Sequence, residues 1–397
     1  MKIYRHLCAI MLGVVLTNCL EPQAAPRLDS PVQDFTISPL ASNLSIPWSV
    51  TPLPRTQDEN GVQAPAQYLI TERGGALKLL TGVGEITTVT GLPDDIFVRQ
   101  QGGLFEVVLS PDFTQSRKVF ISYARGTRRE NGTVVISAKL GETSLSDVQD
   151  VFVSTPFKDT GSHFGGRMVI LPDNSLVLTL GDGFTYREAA QNKESHLGKI
   201  IRIHLDGSTP KDNPFMRDEK LDTVISGPVY SYGHRNVQGL SYDKSTNILW
   251  SHEHGPRGGD ELNIIKAGQN YGWPSATTGV DYNGARISPF KSLEGTEAFV
   301  KDWVPSIAPS GMVVYNSDLF KEWQGDIFVG GLASRDLRHL EMDGTRFIKE
   351  TRLLSELGGR VRDVKQDLDG ALLVLIEHKT KGQLLRLTPL NLDPLGK

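Results

Sequence analysis

Five short, glycine-rich segments of this chain concentrate the side chains that can do chemistry. They are residues 100–113 (QQGGLFEVVLSPDF), 161–167 (GSHFGGR), 231–240 (SYGHRNVQGL), 252–274 (HEHGPRGGDELNIIKAGQNYGWP) and 358–364 (GGRVRDV). His163 stands among Gly161, Gly165 and Gly166. Imidazole titrates near neutral pH, so His163 could act as a general base. Taken alone it could equally be a turn histidine bonded to a carbonyl. Arg235 and Asn236 set a rigid guanidinium fork beside an amide that donates and accepts, which suits a carboxylate or a developing oxyanion. A structural salt bridge with a capping Asn fits the same pair.

His252 and His254 share one face if their segment is a strand, which would let both reach a metal. Asp260 and Glu261 point instead to a hard, oxygen-ligated cation, and Gly255–Pro256 presents backbone carbonyls on a tight turn, as calcium prefers. Tyr271 and Trp273 read as packing residues, although Tyr271 could offer an oxygen. Arg360 and Arg362 alternate, so both face one side of a strand. That is an anion clamp or a solvated edge.

The elements that must position these residues are strands. Short apolar, β-rich runs recur at residues 118–123, 175–180, 326–330 and 371–376. Asp206-Gly207, Asp343-Gly344, Asp369-Gly370, Asn131-Gly132 and Asn283-Gly284 supply hairpin-type turns. A turn followed by two extended runs begins near Thr51, Ser110, Leu171, Tyr242, Tyr315 and Asp367, with spacings of 59, 61, 71, 73 and 52 residues. Six such units fit an all-β, six-bladed β-propeller of four-stranded antiparallel blades, whose loops converge on an axis. A pair of β-sandwiches would explain the strands but not the six-fold beat.

Composition narrows the function classes. Lys plus Arg number 42 against 46 Asp plus Glu, a net charge of −4, which argues against a nucleic-acid partner. The only cysteines are Cys8 and Cys19, so thiolate zinc sites, iron–sulfur clusters and cysteine nucleophiles are excluded from the main body. Gly (40) and Pro (22) form about 16% of the chain, a turn-rich composition. There is no G-x-S-x-G elbow, no H-E-x-x-H, no phosphate-cradling loop and no G-x-G-x-x-G. Nucleotide and nicotinamide chemistry therefore lack support.

Lys2 and Arg5 precede an apolar run at residues 7–17, the pattern of a secretory signal peptide over residues 1–19. Leu16-Thr17-Asn18-Cys19 resembles a lipobox with a poorly fitting Asn18, so lipidation at Cys19 and ordinary cleavage both stay open. Residues 20–33 read as a polar tether and 34–397 as one catalytic propeller domain. The expected location is the bacterial periplasm, with membrane attachment only through a lipid on Cys19.

Taken in order, QGGLFEVVLSPDF, HFGGR, LGKIIRI with DNPF, YGHRN with QGL, and EHGPRGGDELN with NYGWP resemble the soluble pyrroloquinoline-quinone (PQQ)-dependent aldose sugar dehydrogenases of the glucose/sorbosone dehydrogenase family. The resemblance runs from about Leu44 to Leu387. It implies a six-bladed propeller that oxidises aldoses at C1 to lactones, passing hydride to PQQ with calcium assistance and electrons to an external acceptor. It further implies His163 as base, with Arg235 and Asn236 gripping the reactive side of the quinone. Gln101, Tyr282, Arg360 and Arg362 become cofactor contacts, and Asp260 an acidic neighbour of the site. Gly255 and Pro256 become carbonyl ligands of the cofactor calcium, and Glu261 and Tyr271 ligands of a second, structural calcium.

Two positions depart from the best-known glucose-oxidising pattern. Ser162 precedes the base where an Asp can orient it, and Ala333 stands at the position of a cofactor-contacting Lys, with Arg335 nearby. Both departures weaken the expectation of tight quinone binding and glucose preference. The rival readings are a calcium-dependent propeller hydrolase or lactonase and a non-catalytic binding propeller.

Overall fold

Strands in this chain are buried on both faces near an axis and on one face at the rim. The run Leu372–Glu377 is buried almost throughout, whereas Glu85–Val89 buries only its last residue. That gradient is the signature of blades stacked face to face around a centre. The structure, a computed structural model, describes residues 35–57, 61–216, 220 and 222–390. The expected signal peptide with Cys8 and Cys19, and the tether at 20–33, lie outside the described residues.

Among the described residues there are six four-stranded antiparallel sheets. Their innermost strands are Pro47–Leu53, Leu104–Leu109, Met168–Ile170, Val237–Asp243, Pro309–Val314 and Arg360–Gln366. Each innermost strand packs against the next, and the sixth packs against the first, closing the ring. Five blades are built from consecutive strands. The sixth takes its outer strand from the other end of the chain: Phe35–Leu44 pairs antiparallel with Gly382–Pro389. The fold is a six-bladed β-propeller.

Apolar clusters fill the gaps between successive blades. One joins Leu69, Leu77 and Leu79 of the first blade to Val107, Val119 and Ile121 of the second. Another joins Phe328 and Leu337 of the fifth to Val364 and Val374 of the sixth. Each fully buried aliphatic side chain contributes roughly 1.5–3 kcal/mol, so these seams hold the ring shut.

The four apolar runs noted in the sequence all fall in the second strands of their blades. The six repeat positions mark the ends of the innermost strands: Thr51 and Tyr242 lie inside theirs, and the other four directly follow theirs. Asn131-Gly132 is a correction. It starts the strand Asn131–Leu140, and the turn precedes it, closed by the Thr127 N–H on the Glu130 carbonyl at 2.7 Å. Tertiary packing overrides the local signal, because a Cβ at Gly132 would lie 2.4 Å from the Phe157 ring. Asn283-Gly284 turns within a long loop rather than within a blade.

Candidate active site

A cavity of about 270 Å³ opens where the innermost strands begin. All six blades line it: Trp48, Phe105, Gly165, Gln238, Ala308 and Arg362 each sit at or just before the start of one innermost strand. Gln101, Phe164, Asn236, His254, Leu332, Arg360 and Arg73 complete the wall. Arg360 and Arg362 both donate through Nε to Glu377, at 2.9 and 2.7 Å. Burial alone would raise the Glu377 carboxyl, but the Arg362 and Arg360 guanidinium groups, with a smaller contribution from Arg73, hold it below its usual range.

Further along the same strands the axis is plugged by charge. Arg167, 1% exposed, lies 3.4 Å from Glu106 and 2.9 Å from Asp363, and donates to the Gln238 and Arg362 carbonyls. Its guanidinium stacks over Trp48 at 4.1 Å. Lys365 reaches Glu106 at 2.6 Å, and the Glu106 carboxylate also accepts from Met168 N–H. Hydrogen bonds and ion pairs thereby tie four blades at the centre, and the Trp48 contact adds a fifth.

His163 sits in the segment before the third innermost strand, in the left-handed region at φ 54°. Such a backbone is uncommon outside glycine and is held here by its surroundings. Gln101 Oε1 accepts the His163 N–H at 2.7 Å. Gly181 permits the close approach, since a Cβ there would meet the His163 carbonyl at 2.4 Å. The ring Nδ1 lies 2.6 Å from Asp182 Oδ1. Asp182 also accepts from Trp273 Nε1 at 2.8 Å and from Phe184 N–H at 2.7 Å.

Burial pushes the His163 pKa below its usual value despite Asp182, and Arg235 and Lys158 act in the same direction. For Asp182, burial opposes ionisation, but His163, Arg235 and the Phe184 N–H hold the carboxyl below its usual range. A neutral ring facing a carboxylate carries its proton on Nδ1, which leaves the Nε2 lone pair as an acceptor. A buried imidazole oriented by a carboxylate is a general base in waiting.

A second recess of about 260 Å³ is lined by Phe184, Arg187, Arg235, Pro256, Trp273 and Tyr282, among others. Phe184 stands edge-on to His163 at 5.1 Å and stacks on Tyr282 at 6.2 Å. His163 thus touches a residue of each cavity, Gln101 and Phe184. Arg235 donates to the carbonyls of His254 (3.0 Å) and Gly255 (2.5 Å) and reaches the Tyr282 hydroxyl at 3.3 Å. Its backbone N–H donates to Glu253, which also binds His234. Asn236 Oδ1 accepts from Gly165 N–H at 3.2 Å.

The structure therefore brings Gln101, Asn236, Arg360 and Arg362 to one cavity and Arg235, Pro256 and Tyr282 to its neighbour. It does not bring Asp260 to either. That carboxylate is fully buried and accepts from Gly255 N–H, Ser306 Oγ, Ile307 N–H and Ala308 N–H, so it shapes the Gly255 turn from behind. Glu261 pairs across the sheet with Glu253 on one side and Asp302 on the other. Burial, then the Glu253 charge, pushes its pKa up to about 8. The Tyr271 hydroxyl donates to the Ile264 carbonyl and accepts from Lys266 N–H. His252 is fully buried, and His254 Nε2 bonds the Pro309 carbonyl at 2.6 Å.

Asp182, Trp273 Nε1 and Arg73 are the contributors that sequence reasoning missed. Asp182 left one signal, a glycine-flanked carboxylate at the end of an apolar strand (LTLGDGF). It, and not Ser162, is the bonded partner of the His163 ring. Ala333 is exposed, and neither it nor the equally exposed Arg335 is among the cavity-lining residues.

Comparison with known proteins agrees with this fold. Aldose sugar dehydrogenase YliI of Escherichia coli is 39% identical over 358 residues, covering 89% of this chain and 92% of the relative. The crystal structure of the soluble aldose sugar dehydrogenase of E. coli in its apo form superposes with a TM-score of 0.82 at 37% identity, covering 89% of this chain and 99% of that one. The PQQ-bound aldose sugar dehydrogenase of Streptomyces coelicolor gives 0.70 at 25% identity, covering 89% and 98%. The sequence profile described as Glucose / Sorbosone dehydrogenase matches residues 44–386, which includes the innermost strands of all six blades and every residue of both cavities, so the chain belongs to the glucose/sorbosone dehydrogenase family.

Proposed function

We propose that this protein is a PQQ-dependent, calcium-assisted dehydrogenase that oxidises aldose sugars at C1 to lactones. The observation that carries the reading is the His163–Asp182 pair set between a cationic cavity and an aromatic recess. The cavity suits a flat polycarboxylate. It offers three guanidinium groups against one carboxylate, the aromatic faces of Trp48, Phe105 and Phe164, and the amides of Gln101, Asn236 and Gln238. The Gly255 turn suits a hard cation: its carbonyl oxygen is already drawn to a positive charge, the Arg235 guanidinium at 2.5 Å.

When bound, the quinone supplies a two-electron acceptor and calcium makes it more electrophilic. The chain's own residues do the rest. His163 Nε2 takes the proton from the anomeric hydroxyl, and Asp182 stabilises the imidazolium that forms. Gln101 fixes the base through its backbone. Arg235 stabilises negative charge that develops at the reacting centre. Gly255 and Pro256 would hold calcium, and Arg360 and Arg362 would hold carboxylates.

Reconstitution tests the reading. Protein given PQQ and calcium should reduce an artificial dye in the presence of an aldose, and neither addition alone should suffice. If no aldose supports dye reduction, the proposal falls.

A further inference from the structure

Among the described residues, Arg73 is the guanidinium of the cavity with no hydrogen-bonded or ion-paired partner, although its charge is felt at the Glu377 carboxylate. Arg73 follows the strand Gln67–Glu72 and is fixed by its backbone. Its N–H donates to the Ile46 carbonyl at 3.0 Å, and its carbonyl accepts from Leu104 N–H at 3.3 Å. Gly103, at φ 148°, makes the second bond possible, because a Cβ there would stand 1.9 Å from the Arg73 carbonyl. The side chain lines the cavity beside Gln101, Arg360 and Arg362. Among the described residues its guanidinium makes no hydrogen bond or ion pair.

The rest of the clamp is partly neutralised. Glu377 binds both Arg360 and Arg362, so these two cations present a net charge of one. Ala333, where the resemblance expects a lysine, brings no charge and stays outside the cavity. A ligand with several carboxylates meets its strongest uncompensated donor at Arg73, and a guanidinium fork can bind a carboxylate with two parallel bonds.

We propose that Arg73 is a cofactor-binding residue, supplying the unpaired positive charge that grips one carboxylate of the quinone and replaces the charge absent at Ala333. This rests on the quinone reading above. The test is a titration of the calcium-loaded protein with PQQ, followed by tryptophan quenching and quinone absorbance. Arg73→Gln should bind about 10- to 100-fold more weakly and with a shallower salt dependence, as expected for losing one charge-assisted contact. Arg73→Lys should recover part of the affinity, and Arg335→Gln should behave as wild type.

A second readout needs no variant. Phenylglyoxal should modify Arg73 in the free protein, and bound PQQ should protect it, while Arg335 remains reactive throughout. Wild-type affinity in Arg73→Gln, or an Arg73 left unprotected under saturating quinone, overturns the assignment. A wild-type protein that takes up no quinone overturns the function reading itself, and this assignment with it.

Discussion

Two clusters of charge share the centre of the ring and follow opposite rules. In the axial plug, Arg167 and Lys365 meet Glu106 and Asp363, and the remaining Arg167 donors meet backbone carbonyls. Cations and carboxylates match in number, and Glu106, Arg167 and Asp363 are at most 1% exposed. In the adjoining cavity, three guanidinium groups face one carboxylate, and beside it His163 uses one ring nitrogen and leaves the other open. An unmatched charge in the plug would cost several kcal/mol, so the plug tolerates none. Surplus charge survives only where a ligand can complete it. The balance of a cluster, rather than its residue types, separates scaffold from site.

The sharpest way to break this contrast is to change one residue of each cluster. His163→Ala should lower turnover by roughly 100- to 10,000-fold while PQQ affinity barely moves. In wild type, the acid limb of kcat/KM should fall below pH ~6.5, because burial disfavours the charged ring and the base works only when neutral. A limb above that value, or an active His163→Ala, removes His163 as base. Arg167→Met should do the reverse. It strands Glu106 and Asp363 in the interior and should cost roughly 3–5 kcal/mol of unfolding free energy in urea titrations.

A third test concerns a histidine that follows the plug's rule. His196 Nδ1 accepts from Thr155 N–H at 2.9 Å and Nε2 donates to the Ile225 carbonyl at 2.8 Å, so both nitrogens are used and the ring is neutral. Burial pushes its pKa down to about 4. Between that value and ~6.5 the unfolded chain binds the extra proton and the folded one does not, so stability falls as pH drops through this window, by up to ~3 kcal/mol from this residue. Acid titration of the melting temperature should show the fall, and His196→Gln should flatten it. The smallest effect belongs to Lys365→Met, at about 1–2 kcal/mol, because Lys365 is the plug's part-exposed member, within reach of solvent, and Glu106 keeps Arg167 and Met168 N–H. If it matches Arg167→Met, the plug is not organised around Arg167.

Much of the fold was legible because propeller signals are local. Turns and second strands recur along the chain, and Thr51, Ser110, Leu171, Tyr242, Tyr315 and Asp367 mark the innermost strands one after another. The site was legible in its segments but not in its pairings. Asp182 lies 19 residues from His163, and no spacing rule links a residue before one strand to a residue after the next. Glu377 belongs to a different strand from the arginines it neutralises, so the clamp read from alternation alone looked more positive than it is. Asp260 read as a site carboxylate because its four donors come from a turn and a loop that only the fold brings together.

The outer strand of the sixth blade has a consequence for how this protein comes to exist. Phe35 pairs with Pro389, so the seam of the hoop joins the two ends of the described chain. Pairings this distant in sequence form late and slowly. A chain still being synthesised can stack its early blades, but the cavity is bounded by all six and has no complete wall until Arg360 and Arg362 of the sixth blade arrive. Cutting the hoop between two other blades and splicing it at the seam would leave every neighbour in place. Such a circular permutant would begin and end elsewhere and enclose the same chamber.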